Sequence, residues 1–362
     1  MKRTILSFVL ILLIYSCHEN QPLQTDGKTE IQIQAMWSNP SEDSVQSFIP
    51  LSNAEFVLIC EYGTTIAYAD ENGLLSISDL PSSIYQISAS QKHPADQNIT
   101  IVGSINNVEV ISGEVRQDTI YAKPISSSGI SINEIYAGGP INNIYFCYDQ
   151  FIELYNSSNE VKYLDGMQVF RLSQTDGVNT PGSDWDYDGD IDGVTYAFKF
   201  PGSPGQTNYP FEPQSFLVLA SDAYNHKNTV SNSIDLSHAD WEFVNQLNAV
   251  DIDNPNVPNL SNFRLNKTSD FLIRLDTDRI IITSGVDTVW KNGIDIETIL
   301  DGVEYRSNRT SIPTMDDRID RGWVQSPPKY KGKSMQRREK GVDTNDSTLD
   351  WEIINTPTPG WH

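Results

Sequence analysis

The sequence predicts an all-β protein built from two consecutive β-sandwich domains. Three observations carry this expectation. Between residues 29 and 123, short apolar runs alternate with turn residues at regular spacing. From residue 130 the pattern restarts: Ile152 and Leu154 point one way and Phe151, Glu153 and Tyr155 the other, the period of two of a strand buried on one face. Between the two, residues 124–129 read PISSSG, a Pro/Ser/Gly junction that marks a linker.

Composition bounds the function. At 362 residues, with 38% hydrophobic and 20% charged, the chain is long and apolar enough for two cores. A net charge of −23 and a pI near 4.4 exclude nucleic acid as a partner, because phosphate binding needs a clustered basic surface. Residues 1–17 read as targeting: Lys2 and Arg3, an apolar run over 5–14 shorter than a membrane span, then Ser16-Cys17. This resembles a bacterial lipoprotein signal peptide with its lipobox, and implies Cys17 as the acylated N-terminus and the membrane as a partner. Residues 18–28 are polar, without apolar periodicity, and form a tether. With Cys17 acylated, Cys60 and Cys147 are too few for a disulfide framework and read as small buried hydrophobes.

In the first domain (29–123), Ile31 and Ile33 alternate with glutamines, 56–60 is a buried run, and Asp70-Glu71-Asn72-Gly73 is a hairpin turn. Asn72-Gly73-Leu74-Leu75-Ser76-Ile77, then Asp79-Leu80-Pro81 and Tyr85, resemble the transthyretin-like, carboxypeptidase-regulatory type of module, which implies a spacer or docking platform. In the second domain (130–362), Ile132-Asn133-Glu134-Ile135 and residues 151–156, FIELYN, followed by Leu164-Asp165-Gly166, resemble the opening of the immunoglobulin-like lamin-tail domain. Asp350-Trp351-Glu352 and Thr358-Pro359-Gly360 resemble its close. More closely, 130–360 resembles the DUF4876 family of Bacteroidetes lipoproteins. That resemblance implies an outer-membrane lipoprotein on the cell surface or periplasmic face, in a setting that includes TonB-dependent transporters.

Four stretches can carry chemistry. Asp184, Asp186, Asp188, Asp190 and Asp192 alternate through a glycine-containing turn, the first half of a calcium loop. Thr195 stands where an EF-hand closes with glutamate, so a loop-type Ca2+ site is expected rather than an EF-hand; a solvated acidic turn is the bland alternative. His226 and His238 stand among carboxylates and form a second, weaker metal candidate whose spacing fits no metal signature, against helix capping and loop hydrogen bonding. Asp251, Asp253, Asn254, Asn256 and Asn259 form a Pro- and Asn-rich loop, a ligand-contact candidate on a rigid scaffold. Lys329, Lys331, Lys333, Arg337, Arg338 and Lys340 make a basic patch that could meet phosphate headgroups, an acidic partner or the chain's own aspartates.

The nucleophile-elbow, zincin, Walker, dinucleotide and paired CxxC motifs are all absent. The expectation is therefore a non-enzymatic binding or scaffold lipoprotein, and the family resemblance implies a TonB-type outer-membrane β-barrel as the transporter to which it is accessory. A calcium-supported surface hydrolase with distant paired acids, or a structural adhesin, are the alternatives.

Overall fold

The computed structural model describes residues 29–38, 48–95, 99–126, 129–175, 177–308, 310 and 312–362. The expected signal peptide, Cys17 and the tether lie outside them. Among the described residues no helix is long and apolar enough to cross a membrane, a statement about helices alone.

The first sandwich holds β1 (Glu30–Ser38), β2 (Phe48–Pro50), β3 (Glu55–Cys60), β4 (Gly63–Tyr68), β5 (Leu74–Ser78), β6 (Ser83–Lys92), β7 (Ile99–Val110) and β8 (Val115–Ser126). In one layer β1 pairs with β5 and then β2 along one edge, and with β8, in parallel, along the other. The second layer runs β4-β3-β6-β7. The end of β8 leaves β1 and joins β7 from Lys123 to Ser126, so one strand serves both layers. Ile31, Ile33, Ala35 and Trp37 alternate inward against Phe56, Leu58, Ile87 and Ile101. The Leu80-Pro81 to Tyr85 motif closes on itself, since buried Tyr85 donates its hydroxyl to the Pro81 carbonyl at 2.9 Å and locks the entry to β6. The expected junction at 124–129 is shorter than the sequence suggests. Residues 124–126 extend β8, because the start of β7 offers them a paired edge.

The second sandwich holds β9 (Ile130–Tyr136), β10 (Phe151–Asn156), β11 (Lys162–Tyr163), β12 (Gln168–Leu172), β13 (Asp190–Ile191), β14 (Val194–Lys199), β15 (Pro210–Phe211), β16 (Phe216–Ala220), β17 (Trp241–Val244), β18 (Asn259–Asn262), β19 (Thr277–Thr283), β20 (Ile294–Asp295), β21 (Ile299–Arg306), β22 (Val324–Gln325), β23 (Ser334–Arg337) and β24 (Trp351–Ile354). Twelve of them form one sheet in the order β22-β21-β19-β12-β14-β18-β17-β16-β10-β9-β23-β24. The sheet rolls up around its largest core, to which Ile132, Leu154, Phe198, Phe243, Ile282 and Tyr305 all contribute, and two smaller clusters lie outside it. Rolling brings β21 against β9, and side chains bridge this seam. The Asp301 carboxylate accepts the Ile132 N–H at 2.7 Å, and Arg337 donates to the Ile132 carbonyl at 2.8 Å and to Asp301 at 3.0 Å.

Arg337 is fully buried, held also by Asp350 at 3.1 Å, so it is no part of a surface patch. Of the other basic residues, Lys329 pairs with Asp276 at 2.7 Å, Arg338 reaches Glu352 at 3.6 Å, and Lys340 lies over the Tyr155 ring. The chain's own carboxylates and rings thus engage four of the six basic residues, Arg337 among them in the interior, while Lys331 stays exposed.

The expectation that β10 buries one face only is also corrected: all six of its residues are buried. Loops cover the outer face. Phe151 packs with Tyr136, Val218 and Leu236, while Glu153 lies opposite Glu134 and accepts from Asn133 and from the Gly360 N–H at 2.5 Å. Glu134 in turn accepts from Ser334, Gln336 and Thr358. The motif acids of β9 and β10 thus clamp the motif tail Thr358–Gly360.

Candidate functional site

Three adjacent strands, β16, β17 and β18, run parallel. Parallel neighbours need crossovers, and the loops that leave their carboxyl ends gather on one side of the sheet. Asp222 stands two residues beyond β16, Asp251 in the loop after β17, and Asp270 in the loop after β18. One carboxylate oxygen from each lies within 4.8 Å of the others. Beside them opens a cavity of about 570 Å³ lined by Asp222, Asp270, His226, Tyr148, Tyr196 and Tyr224. Exposed Val250 and Ile252 extend its apolar wall.

The electrostatics are unbalanced. Asp222 is 7% exposed, and its carboxylate makes neither a hydrogen bond nor an ion pair among the described residues. Burial, then the charges of Asp270, Asp251 and Glu242, push its carboxyl up to about 8. Burial and the Asp251 charge raise Asp270 to about 6. Burial also raises Asp251, against the Asn245 N–H that Asp251 Oδ2 accepts at 2.6 Å. Oδ1 of Asp251 and Oδ1 of Asp270 are buried without a donor. Glu242 is committed to scaffolding: it accepts the Ala223 N–H at 2.6 Å and the Asn254 N–H at 2.9 Å, tying the β16 loop to the β17 loop.

His226 is buried, and burial lowers its pKa, so its ring is neutral at pH 7. Its Nε2 lies 3.0 Å from the Asp222 carbonyl. A carbonyl only accepts, so Nε2 carries the proton.

The residues singled out in the sequence fare unequally. Of the five loop aspartates, Asp184, Asp186 and Asp188 converge, while Asp190 lies in β13 opposite Asp295 and Asp192 accepts the Trp185 N–H. Of the Asn-rich loop, Asp251 alone joins the carboxylate cluster. Asn254 is a clamp, donating to the Ala223 and Ser237 carbonyls; Asp253 accepts from Asn259; Asn256 donates its N–H to Asn254 within the turn. His226 reaches the cavity, but His238 is exposed and no histidine belongs to a converging ligand group among the described residues. Asp270 carries no mark in the sequence, and Asp222 stands out only as part of the His226 stretch. Only Asp222 lies close behind an apolar strand; Asp251 and Asp270 stand well out in the loops after β17 and β18, and nothing in the sequence marks those strands as parallel neighbours.

The fold and the cavity together define a class: an all-β protein whose rolled second sandwich presents an acidic, aromatic-walled pocket. Residues 212–292 match the family model described as "Protein of unknown function (DUF4876)", which bears out that resemblance over a stretch containing Asp222, His226, Asp251 and Asp270. The chain is also similar to a DUF4876 family protein from Bacteroides thetaiotaomicron VPI-5482 known from its crystal structure. That likeness has a TM-score of 0.53 and 20% identity, and covers 90% of this chain and 94% of that one. At that identity it carries the fold alone. A second match, to the Bacillus anthracis TIE protein, has 14% identity, covers 52% of this chain and 28% of that one, and has a TM-score of 0.18, too low to carry an argument. No curated protein matches the chain.

Proposed function

We propose that the chain is a ligand-binding lipoprotein of a Bacteroidetes-type outer membrane, anchored through acylated Cys17 and accessory to a TonB-type β-barrel. The observation that supports it most is the cavity beside Asp222, where a buried carboxyl without a partner stands among aromatic walls. Such a mixture orients a ligand by a few polar contacts and holds it by apolar area. The first sandwich then serves as a spacer between membrane and pocket. Gentle solubilisation of the tagged chain from native membranes, followed by mass spectrometry, tests the transport role. A stoichiometric outer-membrane β-barrel is expected; recovery of the chain alone under several detergents removes it.

A hydrolase is the second reading, favoured by one feature. Asp222 keeps its proton near neutral pH beside the carboxylates of Asp251 and Asp270, the divided protonation that acid–base catalysis uses. Turnover of a glycan or phosphoester that is abolished by Asp222→Asn would select it, and saturable binding without turnover would reject it. Separately, the converging Asp184, Asp186 and Asp188 support a calcium ion bracing that exposed turn. A melt of the Asp222→Asn protein, in which this loop keeps all its acids and the buried group loses one, is expected to rise by a few degrees between chelator and calcium. An unchanged midpoint sinks the idea.

A further inference from the structure

We propose that Asp222, Asp251 and Asp270 form a site for one hard divalent cation, calcium, magnesium or manganese, on the wall of the cavity. Two independent observations meet there. The first is convergence: three carboxylate oxygens from three loops lie within 4.8 Å of one another. An ion about 2.4 Å from each of two oxygens spans that separation. The second is lack of partners. Asp222, more than nine-tenths buried, has no hydrogen bond and no ion pair for its carboxylate, and it lines the cavity. Asp251 Oδ1 and Asp270 Oδ1 are likewise buried without donors.

Buried carboxylates of a folded protein are normally paired or hydrogen-bonded. Here Asp222 has neither, and Asp251, although its Oδ2 accepts the Asn245 N–H, and Asp270 each keep one oxygen without a donor; Glu242 adds a fourth acid nearby whose own oxygens are already used. A divalent ion relieves the repulsion and gives each orphan oxygen a partner at once.

The donors select the metal. All three are carboxylate oxygens, the ligands of hard cations, and no thiolate or imidazole belongs to the group. The neutral His226 ring spends its Nε2–H on the Asp222 carbonyl, which holds the loop that carries Asp222. Because one side of the site faces the cavity, an oxygen-bearing ligand would complete the coordination. This inference rests on the reading of that cavity as a binding site. It is tested with inorganic ions alone, so its failure leaves the co-purification result standing, and the converse holds too.

The experiment takes the full chain in mild detergent, stripped with chelator, in an Asp184→Asn background that disables the surface loop. Calorimetric titration with CaCl2, MgCl2 and MnCl2 at neutral pH is expected to give saturable binding of one equivalent for at least one ion. Adding Asp222→Asn or Asp270→Asn is expected to weaken it at least tenfold, with the fold checked by circular dichroism. Absence of saturable binding up to about 5 mM, beyond the range of weak extracellular calcium sites, overturns the proposal. So does binding that survives Asp222→Asn or Asp270→Asn unchanged. If neither buried variant folds, the Asp184→Asn chain decides by itself, through terbium emission excited at the tyrosines of the cavity and displaced by calcium. No such emission overturns the site.

Discussion

Asp222 ties the pocket to the stability of the fold. An unfolded aspartate loses its proton at about pH 4, whereas the native carboxyl, raised by burial and by Asp270, Asp251 and Glu242, keeps its proton to about 8. The native state therefore binds the extra proton between those values. Stability from this group is full below about pH 4 and falls as pH rises through 8, with a slope of up to about 1.4 kcal/mol per pH unit. In chelator, the wild type is expected to melt higher at pH 6 than at pH 8.5, and Asp222→Asn to reduce that difference and to melt higher than wild type at pH 8.5. Equal slopes for the two proteins would show that the repulsion is not there. The same residue illustrates what the sequence conceals. Asp222 is one of 48 acidic residues, and no local pattern distinguishes it from aspartates that cap turns.

Among the elements, the seam between β9 and β21 is the feature with the largest expected energetic consequence. Its two strands are not joined by a backbone ladder, and the buried Arg337, Asp301 and Asp350 take the place of one. Replacing Arg337 with Met leaves two carboxylates buried without their cation. Loss of one partner of such a group costs about 3–5 kcal/mol. Chemical denaturation is expected to show a loss of that order in Arg337→Met, and a loss below about 1 kcal/mol would mean that the carboxylates find other donors. A charged run such as 329–340 reads as a solvated patch because burial is invisible locally. The partner that buries Arg337 arrives from β21, more than thirty residues earlier in the chain. The acids of β9 and β10 were legible as a motif, but their role in clamping the tail at Thr358–Gly360 emerges only when the chain ends meet.

At the scale of the whole molecule, the two sandwiches keep separate cores, one drawn from residues 31–122 and the largest of the second from 130–351. Arg337→Met is therefore expected to lower the calorimetric transition of the second sandwich and leave that of the first in place. A shift of both together would mean that the two unfold as one unit. Anchoring is tested on the same scale. Cys17→Ala is expected to abolish palmitate labelling and to release the chain from the membrane fraction, since a tether without acyl chains has no apolar hold on a bilayer. Retention on the membrane by the unlabelled variant would count against the lipid anchor.

By itself the sequence determined the all-β class, the two-sandwich division and the family resemblance, because strand alternation, turn chemistry and the DLP-to-Tyr and FIELYN motifs act over a few neighbouring residues. It also marked Asp251 and the His226 stretch as worth attention. Only the tertiary structure decided which acids meet. Rolling twelve strands into one sheet sets β16, β17 and β18 side by side, so Asp222, Asp251 and Asp270, up to 48 positions apart, converge on one cavity. The evenly spaced acids of 184–192 divide: Asp184, Asp186 and Asp188 converge, while pairing with β20 takes Asp190 and turn closure takes Asp192. Spacing along the chain reports contacts within an element, whereas the orphan oxygens of a pocket arise between elements, where strand order alone sets the distances.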